Sequence, residues 1–324
     1  MNSGLPALAT ANGEAPDVSE DQEEILEGLT AEQKRISAKY FYDQRGSELF
    51  DEICRLPEYY PTRTELKLME QHLDEVAELV GPRAAVIEFG AGSNVKVRKL
   101  LDRLIEPAAY VPVEISAEYL LQQAAELARD YPSVHVQPVF ADFTQPFELP
   151  DHPVTPERNL IFFPGSTIGN FTHSEARELL QVMRHEARPG GALLIGVDLR
   201  KDAAILHAAY NDSRGVTAKF NLNVLRRLNR ELDADFRLED FRHQAIYDEA
   251  EGRIEMRLLS VRAQTVSVAG QEIDFERDEF IITEYSHKYT LEQFSTLAKD
   301  AGFEPHSCWV DDDSLFSMHY MTTR

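Results

Sequence analysis

Four stretches of the chain carry side chains whose types and spacing could do chemistry. The first is IEFGAGSNVK, residues 87–96, where Glu88, Gly90 and Gly92 stand between an apolar run and a basic one. Glycines at a strand-to-helix turn let a ligand come close to the backbone. A dinucleotide fingerprint would place a third glycine at position 95, which is Val95. The turn therefore suits a shorter nucleoside ligand without a pyrophosphate, such as S-adenosylmethionine. Glu114 follows Gly90 by 24 residues at the end of the next apolar run. An acid there can accept hydrogen bonds from both ribose hydroxyls. Asp142-Phe143 follows a third run and offers a polar acceptor and an aromatic face to an adenine.

The second stretch is FFPGSTIGNF, residues 162–171. Ser166 and Thr167 read equally well as a helix N-terminal turn. Asn170 carries both donors and an acceptor, suited to the carboxylate or amine of an amino acid. The third is TEYSHKY, residues 283–289, in which Glu284 and Ser286 are two apart and share one face of an extended segment. A carboxylate and a hydroxyl so placed can hold both nitrogens of an imidazole, or can be a solvated edge. The fourth is aromatic: Tyr40, Tyr42, Tyr59 and Tyr60 cluster within residues 40–65, and Tyr210 stands alone in HAAYND. Composition reads these first as core; their hydroxyls are also donors on rigid apolar bodies.

These groups need elements to position them. Residues 84–89, 110–114, 134–139, 159–163 and 192–197 read as short apolar strands. Helices are expected near Leu100 and Leu101, over 116–130 with Ser116 as its cap and Glu118 near its start, and over 174–188. Strands alternating with helices predict an α/β fold with a doubly wound parallel sheet, and ligands gather outside the carboxyl ends of such strands. After Leu199 the pattern changes to helices over 202–240 and antiparallel strands over 241–285, then a helix over 290–301 and a strand pair near 308–310 and 316–318. This predicts a flexible acidic leader (1–20), a sheet domain (63–199 with 286–324) and an α+β substrate-binding domain (21–62 with 200–285).

Composition limits the partners. Over 324 residues, 33 Lys and Arg stand against 56 Asp and Glu, a net charge of −23. Such a surface disfavours nucleic acid and anionic membranes. No apolar run reaches about 18 residues and no secretory signal is visible. The two cysteines, Cys54 and Cys308, form no disulfide framework or zinc cluster by themselves. A cytoplasmic monomer without a metal is the expectation.

The motifs YFYDQRGSELFD, LPEYYPTRTE, FPGSTIGNF, AAYNDSRGVTAKFNLNVLRRLNRELDADF, IEMRL and AQTV make the chain resemble the histidine-specific Nα-methyltransferases of ergothioneine biosynthesis. The resemblance runs from about Tyr40 to Phe316. It implies a Rossmann-like S-adenosylmethionine-dependent methyltransferase domain with an added substrate domain, and trimethylation of the α-amine of L-histidine to hercynine. It assigns the cofactor to Gly90, Lys96, Glu114, Asp142 and Phe143, with Glu114 standing where relatives have Asp. It assigns the carboxylate of histidine to Tyr59, Asn170 and Tyr210, with Tyr60 as the alternative to Tyr59. Tyr42 would lie near the amine as the catalytic residue. Glu284 and Ser286 would hold the imidazole, with Met256 packed on it, and these residues favour histidine over tryptophan. A nicotinamide-dependent oxidoreductase and a non-catalytic binding regulator are the readings from other classes.

Overall fold

The computed structural model describes residues 9–10, 18–115, 117–144, 149 and 155–324. Ser116, the Glu118 side chain and most of the acidic leader lie outside that description. In chain order the first strands are β1 (Ala9–Thr10), β2 (Ala84–Phe89), β3 (Ala109–Glu114), β4 (His135–Val136), β5 (Val139–Phe140), β6 (Arg158–Phe163) and β7 (Ala192–Asp198). The later ones are β8 (Phe241–Asp248), β9 (Arg253–Ser260), β10 (Gln264–Val268), β11 (Gln271–Phe275), β12 (Phe280–His287), β13 (Glu304–Val310) and β14 (Phe316–Thr322). The helices begin with α1 (Val18–Thr30), α2 (Gln44–Ile53), α3 (Tyr60–Val80), α4 (Val95–Leu101) and α5 (Ala117–Asp130). They continue with α6 (His173–Ala187), α7 (Ala203–Tyr210), α8 (Val216–Glu231) and α9 (Leu291–Asp300).

Two compact units result. One holds Pro61–Arg200 and Tyr289–Arg324 together with β1; the other holds Pro16–Tyr60 and Lys201–Lys288. The first is a Rossmann-like sheet in the order β1-β5-β3-β2-β6-β7-β14-β13, with β4 also on β3. It is parallel through β7, and β14 then enters antiparallel between β7 and β13. Strand β2 is buried along its whole length, which is why it reads as an apolar run interrupted by Glu88 alone. Its alternate residues serve opposite faces. Ile87 and Phe89 pack with Val111, Ile161 and Phe163 under α6 and α9, while Val86, Leu160 and Phe162 pack under α3, α4 and α5. Each such large side chain contributes roughly 1.5–3 kcal/mol by leaving water.

Two expectations need correction here. Residues 134–139 are not one strand but β4 and β5, because Pro138 has no N–H to give to a ladder. Gln137 N–H still reaches Tyr110 O at 2.9 Å. Residues 9–10, inside the expected flexible leader, form β1 beside β5, with Ala9 opposite Val139 and Thr10 opposite Phe140.

The second unit carries the antiparallel sheet β12-β9-β8, the hairpin β10–β11, and α1, α2, α7 and α8. Helix α8 packs on β8, β9 and α2, and Phe220 stacks on Phe41 at 4.4 Å. Asp212 starts α8 by accepting the N–H groups of Val216 and Thr217 at 2.9 and 2.8 Å. Asp43 caps α2 through Gly46 N–H at 2.7 Å and accepts from Asn223 of α8 at 2.8 Å. The boundaries differ from those expected. Strand β12 continues to His287, opposite Arg253, so Ser286 belongs to this unit and not to the sheet unit. At the N-terminal side, α1 begins at Val18 and the first segment ends at Tyr60 rather than at residue 62.

Candidate active site

In the sheet unit, the candidate residues stand at the carboxyl ends of successive strands. Gly90 follows β2 with φ at +71°, and its N–H and that of Ala91 donate to Val113 O at 2.9 and 3.2 Å. Glycine adopts that conformation at little cost. A Cβ at Gly90 would meet the Phe143 ring at 3.4 Å, so the turn and the ring are neighbours. Phe143 is itself held edge-on by Phe89 and Phe163, at 5.9 and 6.1 Å between centroids. Glu114 ends β3 half-buried and accepts the N–H of Ile115 at 2.8 Å. Asp142 accepts from the N–H and hydroxyl of Thr144 at 2.9 and 2.6 Å, a local turn that fixes its carboxylate. A turn without a side chain, an acid and an acid–aromatic pair, side by side, fit an adenosyl group.

Lys96 of α4 does not stand alone. Its ammonium is 2.6 Å from Glu65 of α3, a carboxylate with 2% exposure. Both Glu65 oxygens accept the Gly165 N–H, at 2.9 and 3.0 Å. One acid thus joins the glycine-turn helix to the FPGSTIGNF loop. A Cβ at Gly196 of β7 would overlap the Glu65 carboxylate, which explains a glycine inside a central strand. That loop turns sharply: Gly165 and Ser166 have φ of +84° and +58°, and the Ser166 hydroxyl oxygen accepts Asp198 N–H at 2.8 Å. Thr167–Asn170 is a short 3₁₀ turn, with Asn170 half-buried at its end. Glu88 is buried one residue before the glycine turn's Phe89; burial pushes its carboxyl up to about 7, against a hydrogen bond from Tyr110 at 2.6 Å.

The second unit gathers the remaining candidates. Glu284 and Met256 are cross-strand partners on β12 and β9. The register slips between Ile282 and Glu284, leaving Thr283 as a bulge. Bulges re-aim the side chains that follow them. The Thr283 hydroxyl lies 2.7 Å from Asn221 Oδ1 and 3.1 Å from Met256 O, and it secures that bulge. Asn221 also donates to His243 Nδ1 at 2.9 Å, while His243 Nε2–H reaches Tyr210 O at 2.9 Å. Burial lowers the His243 pKa, consistent with a neutral ring of that tautomer.

Burial raises Glu284 from its usual 4.5 to about 7, with the Lys288 charge pulling the other way. Tyr59 packs edge-on against Tyr210 at 6.2 Å and Phe50 at 6.3 Å. Its hydroxyl titrates well above the usual range, through burial and the charges of Tyr210, Cys54 and Glu284. Tyr60 is turned elsewhere: its hydroxyl accepts from Lys201 at 2.7 Å. Tyr42 is half-buried against Phe50 and Phe220, at 5.8 and 6.0 Å. Tyr210 and Ser286, expected at opposite ends of the substrate, touch at 2.8 Å between hydroxyl oxygens. Sequence reasoning missed Glu65, Asn221 and Lys288, although all three lie inside motifs it quoted. Among the described residues, no group of three or more His, Cys, Asp or Glu could hold a metal, and no helix is long and apolar enough to cross a membrane.

The family described as histidine-specific methyltransferase, SAM-dependent, matches residues 21–323. The chain is 38% identical over 318 residues to the histidine N-alpha-methyltransferase of Mycolicibacterium smegmatis, across 96% of this chain and 98% of that one. It is 39% identical over 302 residues to the enzyme of the same name from Mycobacterium tuberculosis, across 91% and 92%. Ergothioneine biosynthesis protein 1 of Neurospora crassa is 31% identical over 284 residues, 86% of this chain and 32% of that protein. Among solved structures, the CcbJ methyltransferase of Streptomyces caelestis shares the fold at 16% identity, with a TM-score of 0.51 over 89% of this chain and 99% of that one. The glycine turn, strand-end acids and second unit therefore belong to a member of the S-adenosylmethionine-dependent, histidine-specific methyltransferase family.

Proposed function

We propose that this enzyme transfers three methyl groups in succession from S-adenosylmethionine to the α-amine of L-histidine, giving hercynine, the first step of ergothioneine biosynthesis. The observation that carries the substrate is Glu284, a half-buried carboxylate beside Met256 in a chain of the histidine-specific family. Ionised, it accepts an imidazole N–H. Bound S-adenosylmethionine supplies a methyl group already activated on a sulfonium, so no covalent enzyme intermediate is needed.

The residues have the remaining work of binding and alignment. Gly90 and Phe143 receive the nucleoside, Glu114 and Asp142 accept from its hydroxyls and base, and Lys96, held by Glu65, serves the charged tail. Tyr59, Asn170 and Tyr210 are assigned to the substrate carboxylate. Tyr59 is preferred to Tyr60 because the Tyr60 hydroxyl is engaged by Lys201. The attacking amine must be neutral, and rate comes mainly from holding nitrogen, methyl and sulfur in line. The bound amine loses its proton to water, and Tyr42, or a second water, assists by hydrogen-bonding to the amine. Fixing the ring through Glu284 and Ser286 keeps the ring nitrogens from the methyl donor. We take the enzyme to act as a cytoplasmic monomer, which sedimentation and cell fractionation would test.

The deciding experiment incubates the protein and S-adenosylmethionine with each proteinogenic amino acid and follows products by mass spectrometry. Trimethylated histidine alone is expected. Methylation of tryptophan in its place, or cofactor binding without turnover, would overturn the reading.

A further inference from the structure

Lys288 directly follows β12 as the last residue of the second unit, with 2% exposure. Its ammonium donates to Ser286 Oγ at 2.7 Å and to the Tyr210 hydroxyl at 2.9 Å, and lies 4.9 Å from the Tyr210 ring centroid. The two hydroxyl oxygens are 2.8 Å from each other. Lysine has three donors and no acceptor, so both oxygens accept from it. Only one of the two hydroxyl protons fits between the oxygens; the other is directed to an acceptor beyond the trio. A buried ammonium is costly without partners, and here it is surrounded by groups already assigned to the substrate.

Charge balance gives the cluster a purpose. An α-amino acid reacts only when its amine is unprotonated, and then its carboxylate is uncompensated. Ionised Glu284 by itself would repel that form. Lys288, whose charge is felt at Glu284, restores the balance. We propose that Lys288 is a positioning residue that makes the site selective for amines bearing a free carboxylate. It supplies the counter-charge and holds Tyr210 so that the hydroxyl proton of Tyr210 is given to that carboxylate. This rests on the assignment of Tyr210 to the substrate carboxylate under the proposed function.

The test compares wild type and Lys288→Met by calorimetry with L-histidine, with histamine (the same ring and amine without the carboxylate) and with S-adenosylhomocysteine. Lys288→Met should weaken histidine by about 10-fold or more, the range for a charge-assisted hydrogen bond. Histamine, which feels Lys288 only through the Ser286 and Glu284 contacts to its ring, should lose at least about threefold less than histidine, and S-adenosylhomocysteine should be unaffected. Equal loss for histidine and histamine, or no loss for histidine, would overturn the proposal. Tyr210→Phe should show the same ligand pattern, and the double variant should be no weaker than the worse single one. If Lys288→Met does not fold, Lys288→Gln, which keeps a donor and drops the charge, is read in the same way: a selective loss for histidine is expected, and an equal loss for both ligands or none would overturn the proposal. A wild-type protein that binds neither histidine nor histamine would instead refute the substrate reading, and the same comparison would then be run on the true substrate and its decarboxylated form.

Discussion

Replacing Glu284 by glutamine should move stability and binding in opposite directions. The carboxyl titrates near 7 in the fold against 4.5 ordinarily, mainly because burial opposes its charge. An acid whose folded pKa is raised costs nothing below its unfolded pKa. The cost grows as pH rises from about 4.5 to about 7 and then stays constant. At roughly 1.4 kcal/mol per unit, the penalty above pH 7 approaches about 3 kcal/mol. Glutamine has nearly the same shape and no charge. The ligand-free Glu284→Gln protein should therefore be more stable than wild type at pH 8, by up to about 3 kcal/mol, and nearly equal to it at pH 4.5. Thermal melts at the two pH values read this as several degrees of upward shift at pH 8 only. Histidine binding should fall by about 2 kcal/mol, because the charged acceptor is gone. A variant that is less stable at pH 8, or one that binds histidine unchanged, would refute the reasoning.

Three further outcomes are expected. Glu114→Ala should weaken S-adenosylhomocysteine by roughly 1–3 kcal/mol and leave the melting temperature nearly unchanged; calorimetry with unaltered cofactor affinity would count against the nucleoside assignment. Glu65→Ala strands the Lys96 ammonium and the Gly165 N–H, so it should destabilise the protein by roughly 3–5 kcal/mol, measured by denaturant unfolding. Tyr59→Phe should weaken histidine binding by roughly 1 kcal/mol, while Tyr60→Phe should leave it alone because the Tyr60 hydroxyl serves Lys201; the reverse order would exchange their roles.

The central strands of the sheet unit, β2, β6 and β7, were legible because each is a short, largely apolar run buried on both faces. The run at 134–139 was misread for a local reason, since Pro138 interrupts the ladder while leaving the apolar pattern intact. The second unit was legible as a change from parallel-type to antiparallel patterning. Its far boundary was not, because nothing in TEYSHKY marks where β12 stops pairing with β9. The site divides in the same way. Gly90, Glu114, Asp142 and Phe143 could be picked out as candidates because each ends or follows a strand, and strand ends in such sheets converge.

What the sequence determined by itself was the order of elements, the family, and the acids and glycines placed at strand ends, all of which depend on spacing along one segment. What only the tertiary structure decided was which groups meet. Glu65 and Lys96 lie on different helices, and no periodicity links them until α3 and α4 pack on one face of the sheet. Tyr210 and Ser286 are 76 residues apart and share a hydrogen bond over a lysine that looks, in the sequence, like an ordinary solvated charge. Local propensity is written residue by residue, whereas the pairing of buried charges follows from the fold excluding water around them.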